Sequence, residues 1–122
     1  MHKRLRSMLE DLRTRWLPNE PWMSLSERIL LYDRLSLYLR SGIPIRDALG
    51  LMRASAKRAD ARRILNEVDQ AVLHGTSLTR ALGMFPKAFP SFETHLIEMG
   101  EQSGSLPENL RYLGALLRRS KA

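Results

Sequence analysis

Cysteine is absent from the 122-residue sequence, so neither a disulfide framework nor a thiolate metal cluster can form, and a reducing compartment is the expected setting. Long apolar runs are missing too. None approaches the ~20 residues that cross a bilayer, and the basic N-terminus lacks the continuous apolar stretch and small-residue cleavage site of a signal peptide. β-Branched residues are few and period-two alternation never lasts, which argues against strands. Acid is scarce relative to base: 13 Asp and Glu face 20 Lys and Arg, a formal charge of +7 that favours an acidic or polyanionic partner. The surplus sits at the two ends. Lys3, Arg4, Arg6, Arg13 and Arg15 outweigh Glu10 and Asp11 at one, and Arg111, Arg118, Arg119 and Lys121 outweigh Glu108 at the other.

Chemistry-bearing patterns are also sparse. His2, His74 and His95 stand far apart, none with a second ligand one helical turn away, so a metal site on histidine is not expected. No nucleophile elbow, His-Glu-x-x-His pair or phosphate-binding Walker loop occurs. The run "MGEQSG" has glycines at 100 and 104 but no lysine after them and no strand before them. Glu93, Glu98 and Glu101 lie near one another, yet Glu98 and Glu101 are three apart on an expected helix, a common solvated pattern, and a hard cation wants several oxygens that no loop supplies. The sequence therefore predicts no catalytic residues, no cofactor and no bound metal.

What is present is helical periodicity. At 43% apolar, the chain suffices for one domain burying roughly two thirds of its unfolded surface. Met1, Leu5, Met8, Leu9, Leu12 and Trp16 recur at three- and four-residue steps, predicting an amphipathic arm over 1–17 with a basic opposite face. Pro18 and Pro21 stop it and make 18–23 a linker. The body follows over 24–122. Ser24 and Glu27 have capping-box spacing before a wide apolar face through Leu25, Ile29, Tyr32, Leu35 and Leu39. Gly42 then suits the left-handed cap, with Pro44 in the first turn of a second helix carrying Ala48, Leu49 and Met52 inward.

Asp60 is placed to cap a third helix through Ile64, Val68 and Val72, which Gly75 closes. Leu78, Ala81 and Leu82 form a short fourth, and Phe85 and Phe89 plug the core beside a proline-bracketed turn. Ser91 is expected to cap a fifth helix through Phe92, Leu96 and Met99. Gly104 is expected to cap the fifth helix and turn the chain, and Ser105 and Glu108 repeat the capping-box spacing before a sixth helix on Leu106, Leu110, Leu113 and Leu117. The expected fold is all-α, a six-helix bundle with an additional N-terminal amphipathic helix. Gly100, in mid-helix, costs about 1 kcal/mol against alanine unless another backbone must come close, and close approach is the reading adopted. Leu37, Leu51 and Leu73 fall off the inward stripes and are expected at an interface.

Four stretches, "LYLRSGIPIRDAL", "AVLHGTSLTRAL", "FPKAFPSFETHLIEMGEQSGSL" and "LRYLGALL", together resemble the cytoplasmic domain of the inner-membrane platform proteins of type II secretion and type IV pilus machines, the F-protein family. The shared pattern is Gly42-Ile43-Pro44, Gly75-Thr76-Ser77-Leu78, Phe89-Pro90 and Gly100 to Leu106, within a resemblance covering roughly residues 25 to 118. It implies a non-catalytic six-helix domain that contacts the cytoplasmic assembly ATPase and other platform components, coupling the motor to pilin insertion. It further implies that the sequence is the first of two such domains, on the cytoplasmic side of the bacterial inner membrane, ending before a transmembrane span. The basic "LLRRSKA" suits that flank. Glu101 and the arm residues Arg4, Arg6, Arg13 and Arg15 are the candidate partner contacts, the arm also suiting an anionic membrane surface. Pairing with a second copy stays open. The rival classes are a small helical DNA-binding domain, suggested by "LTRALGM" and the high pI, and a generic helical adaptor. Basic residues spread around the helices rather than lining one face, so no nucleic-acid partner is expected.

Overall fold

The computed structural model describes residues 20–121. The predicted arm over 1–17, with Arg4, Arg6, Arg13 and Arg15, lies outside the described residues. Six helices follow in order: α1 Leu25–Arg40, α2 Ile45–Ser55, α3 Ala59–Leu73, α4 Leu78–Gly83, α5 Ser91–Ser103 and α6 Leu106–Lys121. The described residues contain no strand, so the all-α expectation holds. The segment Glu20–Met23, within the expected linker, is packed on the bundle, with Pro21 and Met23 buried.

The start of α1 forms as its spacing predicts: Glu27 N–H donates to Ser24 Oγ at 3.1 Å while Ser24 N–H donates to Glu27 Oε1 at 2.8 Å. Three other helix starts differ from expectation by one or two residues. Pro44 is the N-cap of α2, outside its first turn, and extended φ/ψ there lets its ring fit without a clash. Arg58 occupies the N-cap of α3, leaving Asp60 inside the first turn, where it complements the helix dipole. Pro90 precedes α5, so Ser91 is already helical. At α6 the Ser105 hydroxyl meets the Ser103 hydroxyl at 2.5 Å, in place of the predicted capping contact with Glu108.

Helix directions follow from the long-range side-chain contacts. Lys121 of α6 reaches Ser26 at the start of α1, and Ser36 near the end of α1 donates to Pro107 O at the start of α6, so these two run antiparallel. Asn109 of α6 donates to Leu96 O of α5, and Arg46 at the start of α2 pairs with Asp69 late in α3. Arg58 pairs with Glu27 at the two N-termini of α3 and α1. The bundle therefore has one end formed by the N-termini of α1, α3 and α5 and the C-termini of α2 and α6. At the opposite end α1, α3 and α5 all terminate.

The core between the layers holds Tyr32, Phe85, Phe89, Leu31, Leu35 and Ile64, each at most 2% exposed, alongside Leu110 and Leu113 of α6. Apolar burial at ~25 cal/mol per Å² supplies the main favourable term. One charged group shares this interior. Glu93 of α5 is fully buried, accepts from Arg28 Nε at 3.0 and 3.2 Å, and accepts from Tyr32 Oη at 2.7 Å. Arg28 also donates to Met23 O, which ties the incoming chain to the same cluster. Burial, and then the neighbouring Glu93 carboxylate, push the Tyr32 phenol far above its usual range, so it stays a neutral donor.

Candidate functional site

Three turns at the end where α1, α3 and α5 stop are built alike. Each places a glycine at positive φ: Gly42 at 88°, Gly75 at 93° and Gly104 at 74°. Each also closes a six-residue ring back onto its helix. Ile43 N–H donates to Tyr38 O, Thr76 N–H to Ala71 O and Ser105 N–H to Gly100 O, at 2.9, 3.0 and 2.9 Å. This is the Schellman arrangement, in which a left-handed residue lets the chain reverse while satisfying carbonyls that the helix leaves orphaned. Pro44 and Ser77 then stand at the N-caps of α2 and α4, and Leu78 enters the core at 3% exposure.

Gly100 and Glu101 bind the turns together. A Cβ on Gly100 would come within 2.9 Å of Leu106 Cα and 3.1 Å of Asn109 Cβ, so α5 and α6 touch backbone to backbone there. Glu101, expected as an exposed contact residue, is instead partly buried and occupied. Its carboxylate accepts from Leu78 N–H at 3.0 Å, Thr79 N–H at 2.9 Å and the Thr79 hydroxyl. It thus supplies acceptors to the N-terminus of α4 from another helix, and a carboxylate is favoured there by the dipole.

The resulting surface has hydrogen-bonded turns and is partly apolar. Leu37 on the outer face of α1 and Leu73 at the end of α3 are 51% and 47% exposed, and Met99 of α5 is similarly open. Leu51 is exposed further along α2. Exposed Arg40 and His74 adjoin the first two turns. Such a surface can hold another protein by shape and apolar contact.

Glu93, Glu98 and Glu101 are not gathered into a cation site: Glu93 faces Arg28 and Tyr32, and Glu101 faces α4. Among the described residues no three His, Asp or Glu side chains cluster as metal ligands. The stretch "LTRALGM" forms the six-residue α4, whose Leu78, Ala81 and Leu82 are buried, so it presents no recognition helix.

Sequence reasoning missed two features. Gly114 of α6 packs against Asp33 of α1, which pairs with Arg118; its spacing in the α6 stripe marks it as inward, but nothing local names its partner. The Arg28–Tyr32–Glu93 cluster joins residues 61 and 65 positions apart, which no local pattern reveals.

The fold and this end together define a small helical domain with an apolar, glycine-turned surface. A profile described as "Type II secretion system (T2SS), protein F" matches residues 31–122. The chain belongs to the type II secretion system protein F family. It is 31% identical over 90 residues to the type II secretion system protein F of Aeromonas hydrophila, covering 74% of this chain and 23% of that protein. The type 4 fimbrial assembly protein PilC of Pseudomonas putida is 32% identical over 84 residues, covering 69% and 21%. The Pseudomonas aeruginosa type II secretion system protein F is 40% identical over 80 residues, covering 62% and 18%. The chain thus spans about a fifth of the length of these relatives. Among the described residues no helix is long and apolar enough to cross a membrane.

Proposed function

We propose that this chain is a non-catalytic cytoplasmic domain of an inner-membrane platform protein, the body over 24–122 forming the first such domain after a basic arm. In this reading it docks the cytoplasmic assembly ATPase and other platform components, and carries the motor's movement toward pilin or pseudopilin insertion. The observation that carries it is the family match over residues 31–122, which includes all three glycine turns. Names given to relatives as secretion and pilus assembly proteins supply the machine. The apolar Leu37 and Leu73 beside those turns supply the docking surface. With Glu101 engaged by α4, we assign partner contact at this end to Leu37 and Leu73, and treat Glu101 as the brace that holds the surface in shape.

Photo-crosslinking in cells tests this. With a benzophenone amino acid at Leu37 or Leu73, the assembly ATPase is the expected adduct, while the same probe at exposed Arg63 on the side of α3 captures little. Equal or absent ATPase capture at all three positions overturns the assignment.

A further inference from the structure

The end opposite the glycine turns carries a different surface. Trp22 is 49% exposed, and the Arg58 guanidinium stacks on its ring, with the guanidinium carbon 3.9 Å from the ring centroid. Phe92, in the first turn of α5, is equally exposed. Leu30 of α1 is 45% exposed and walls two adjoining grooves, one bounded by Arg118 and Lys121, the other by Lys57. Of the cations here, Arg28, Arg58, Lys87 and Arg118 are paired with Glu93, Glu27, Glu20 and Asp33. Lys57, Arg62, Arg119 and Lys121 are exposed and meet no carboxylate among the described residues. Asp60, held near Arg58, is the remaining partly exposed acid of this end. Three helix N-termini and two helix C-termini meet at this end, so the helix dipoles largely offset one another and the side-chain cations set its charge.

Exposed aromatic rings ringed by surplus Lys and Arg fit one kind of counterpart: the interface of an anionic bilayer, where indole and phenyl sit at headgroup level and cations gain about 1 kcal/mol each. We infer that this end of the bundle rests on the anionic lipid surface, with Trp22 and Phe92 inserted at headgroup depth and Lys57, Arg62, Arg119 and Lys121 over acidic headgroups. The contact belongs to the folded bundle and is separate from any membrane affinity of the basic arm. It rests on the membrane location proposed above, and gives it an orientation: the glycine turns, at the far end, point away from the lipid toward soluble partners.

The test uses the whole 122-residue chain with Trp16→Phe, which leaves Trp22 as the single indole. Vesicles of phosphatidylcholine containing phosphatidylglycerol, with brominated acyl chains, should quench Trp22 emission, and pure phosphatidylcholine vesicles should do so weakly. Adding Arg119→Ala and Lys121→Ala should weaken the partition about 30-fold, from about 1 kcal/mol per cation removed. Replacing Arg4, Arg6, Arg13 and Arg15 by alanine should leave the Trp22 quenching in place, and melting curves confirm that each variant folds. Unquenched Trp22 on anionic vesicles overturns the inference, as does a paired Arg119/Lys121 variant that binds like the parent. No vesicle binding together with a weaker ATPase titration for that variant would make this end a protein surface, which also overturns it. Fractionation of the full gene product separates the two levels: recovery in the inner membrane without Trp22 quenching removes only this contact, whereas recovery in the cytosol removes the membrane location itself.

Discussion

Two glycines inside helices look alike in sequence and behave differently in the bundle. At Gly100 the added methyl of alanine meets backbone, Leu106 Cα at 2.9 Å, and the two helices must separate. Gly100→Ala is expected to destabilise by about 1–3 kcal/mol, as overpacking does. At Gly114 the close contacts of the methyl are with the Asp33 side chain, which can swing aside at the expense of its exposed pairing with Arg118. The gain of about 1 kcal/mol in helix propensity offsets that loss, so Gly114→Ala should stay close to the parent in urea melts. A reversed order would contradict the packing described. Glu93→Ala should cost about 3–5 kcal/mol, because Arg28 then keeps its charge in a site that is only 14% exposed and has lost its counterion. Glu27 gives a pH signature. Burial pushes its carboxyl up, but hydrogen bonds from Arg58 and Ser24 outweigh that and hold it below its usual 4.5. A depressed carboxylate stabilises fully above 4.5 and loses its contribution as pH falls through the folded-state value. Thermal melts should therefore show Glu27→Gln less stable than the parent at pH 7, with the gap closing toward pH 3.

At the scale of elements, the ends of helices were more legible than their beginnings. Gly42, Gly75 and Gly104 could be read as caps because positive φ is a demand few other residues meet, and it is local. Helix starts tolerate several residues. Arg58 and Pro90 hold N-cap positions without any side-chain cap bond, and Asp60 and Ser91 were misplaced by two residues and one. The apolar stripes gave the core, since Ile64, Leu82, Leu110 and Leu113 follow 3.6-residue spacing on their own helices. Contacts between distant elements were not legible. Glu101 could be placed beside Gly100, but its partners Leu78 and Thr79 lie 23 and 22 residues earlier, and only the packing of α5 on α4 joins them. Glu101→Ala should weaken the anchorage of α4 by about 1 kcal/mol, in the range of a lost cap. Hydrogen exchange would register this as faster exchange of the Leu78 and Thr79 amides, with little change in α1. Uniformly faster exchange across the bundle would show that the brace acts globally.

On the scale of the whole molecule, parallel α1, α3 and α5 give the bundle two unlike ends. One carries the three glycine turns with Leu37 and Leu73; the other carries Trp22, Phe92 and exposed cations that meet no carboxylate among the described residues. The chain belongs to a family whose relatives are named for secretion and pilus assembly, and the proposal to be tested is that the turn end meets the motor. The most direct measurement is a titration of the 122-residue chain against the cognate assembly ATPase at physiological salt, in ATP-like and ADP states, beside a Leu37→Glu, Leu73→Glu variant. Saturable binding that differs between nucleotide states and falls at least ten-fold in the variant is expected, with the melting temperature unchanged. A folded chain that does not bind active ATPase, or a variant that binds as well as the parent, would contradict it.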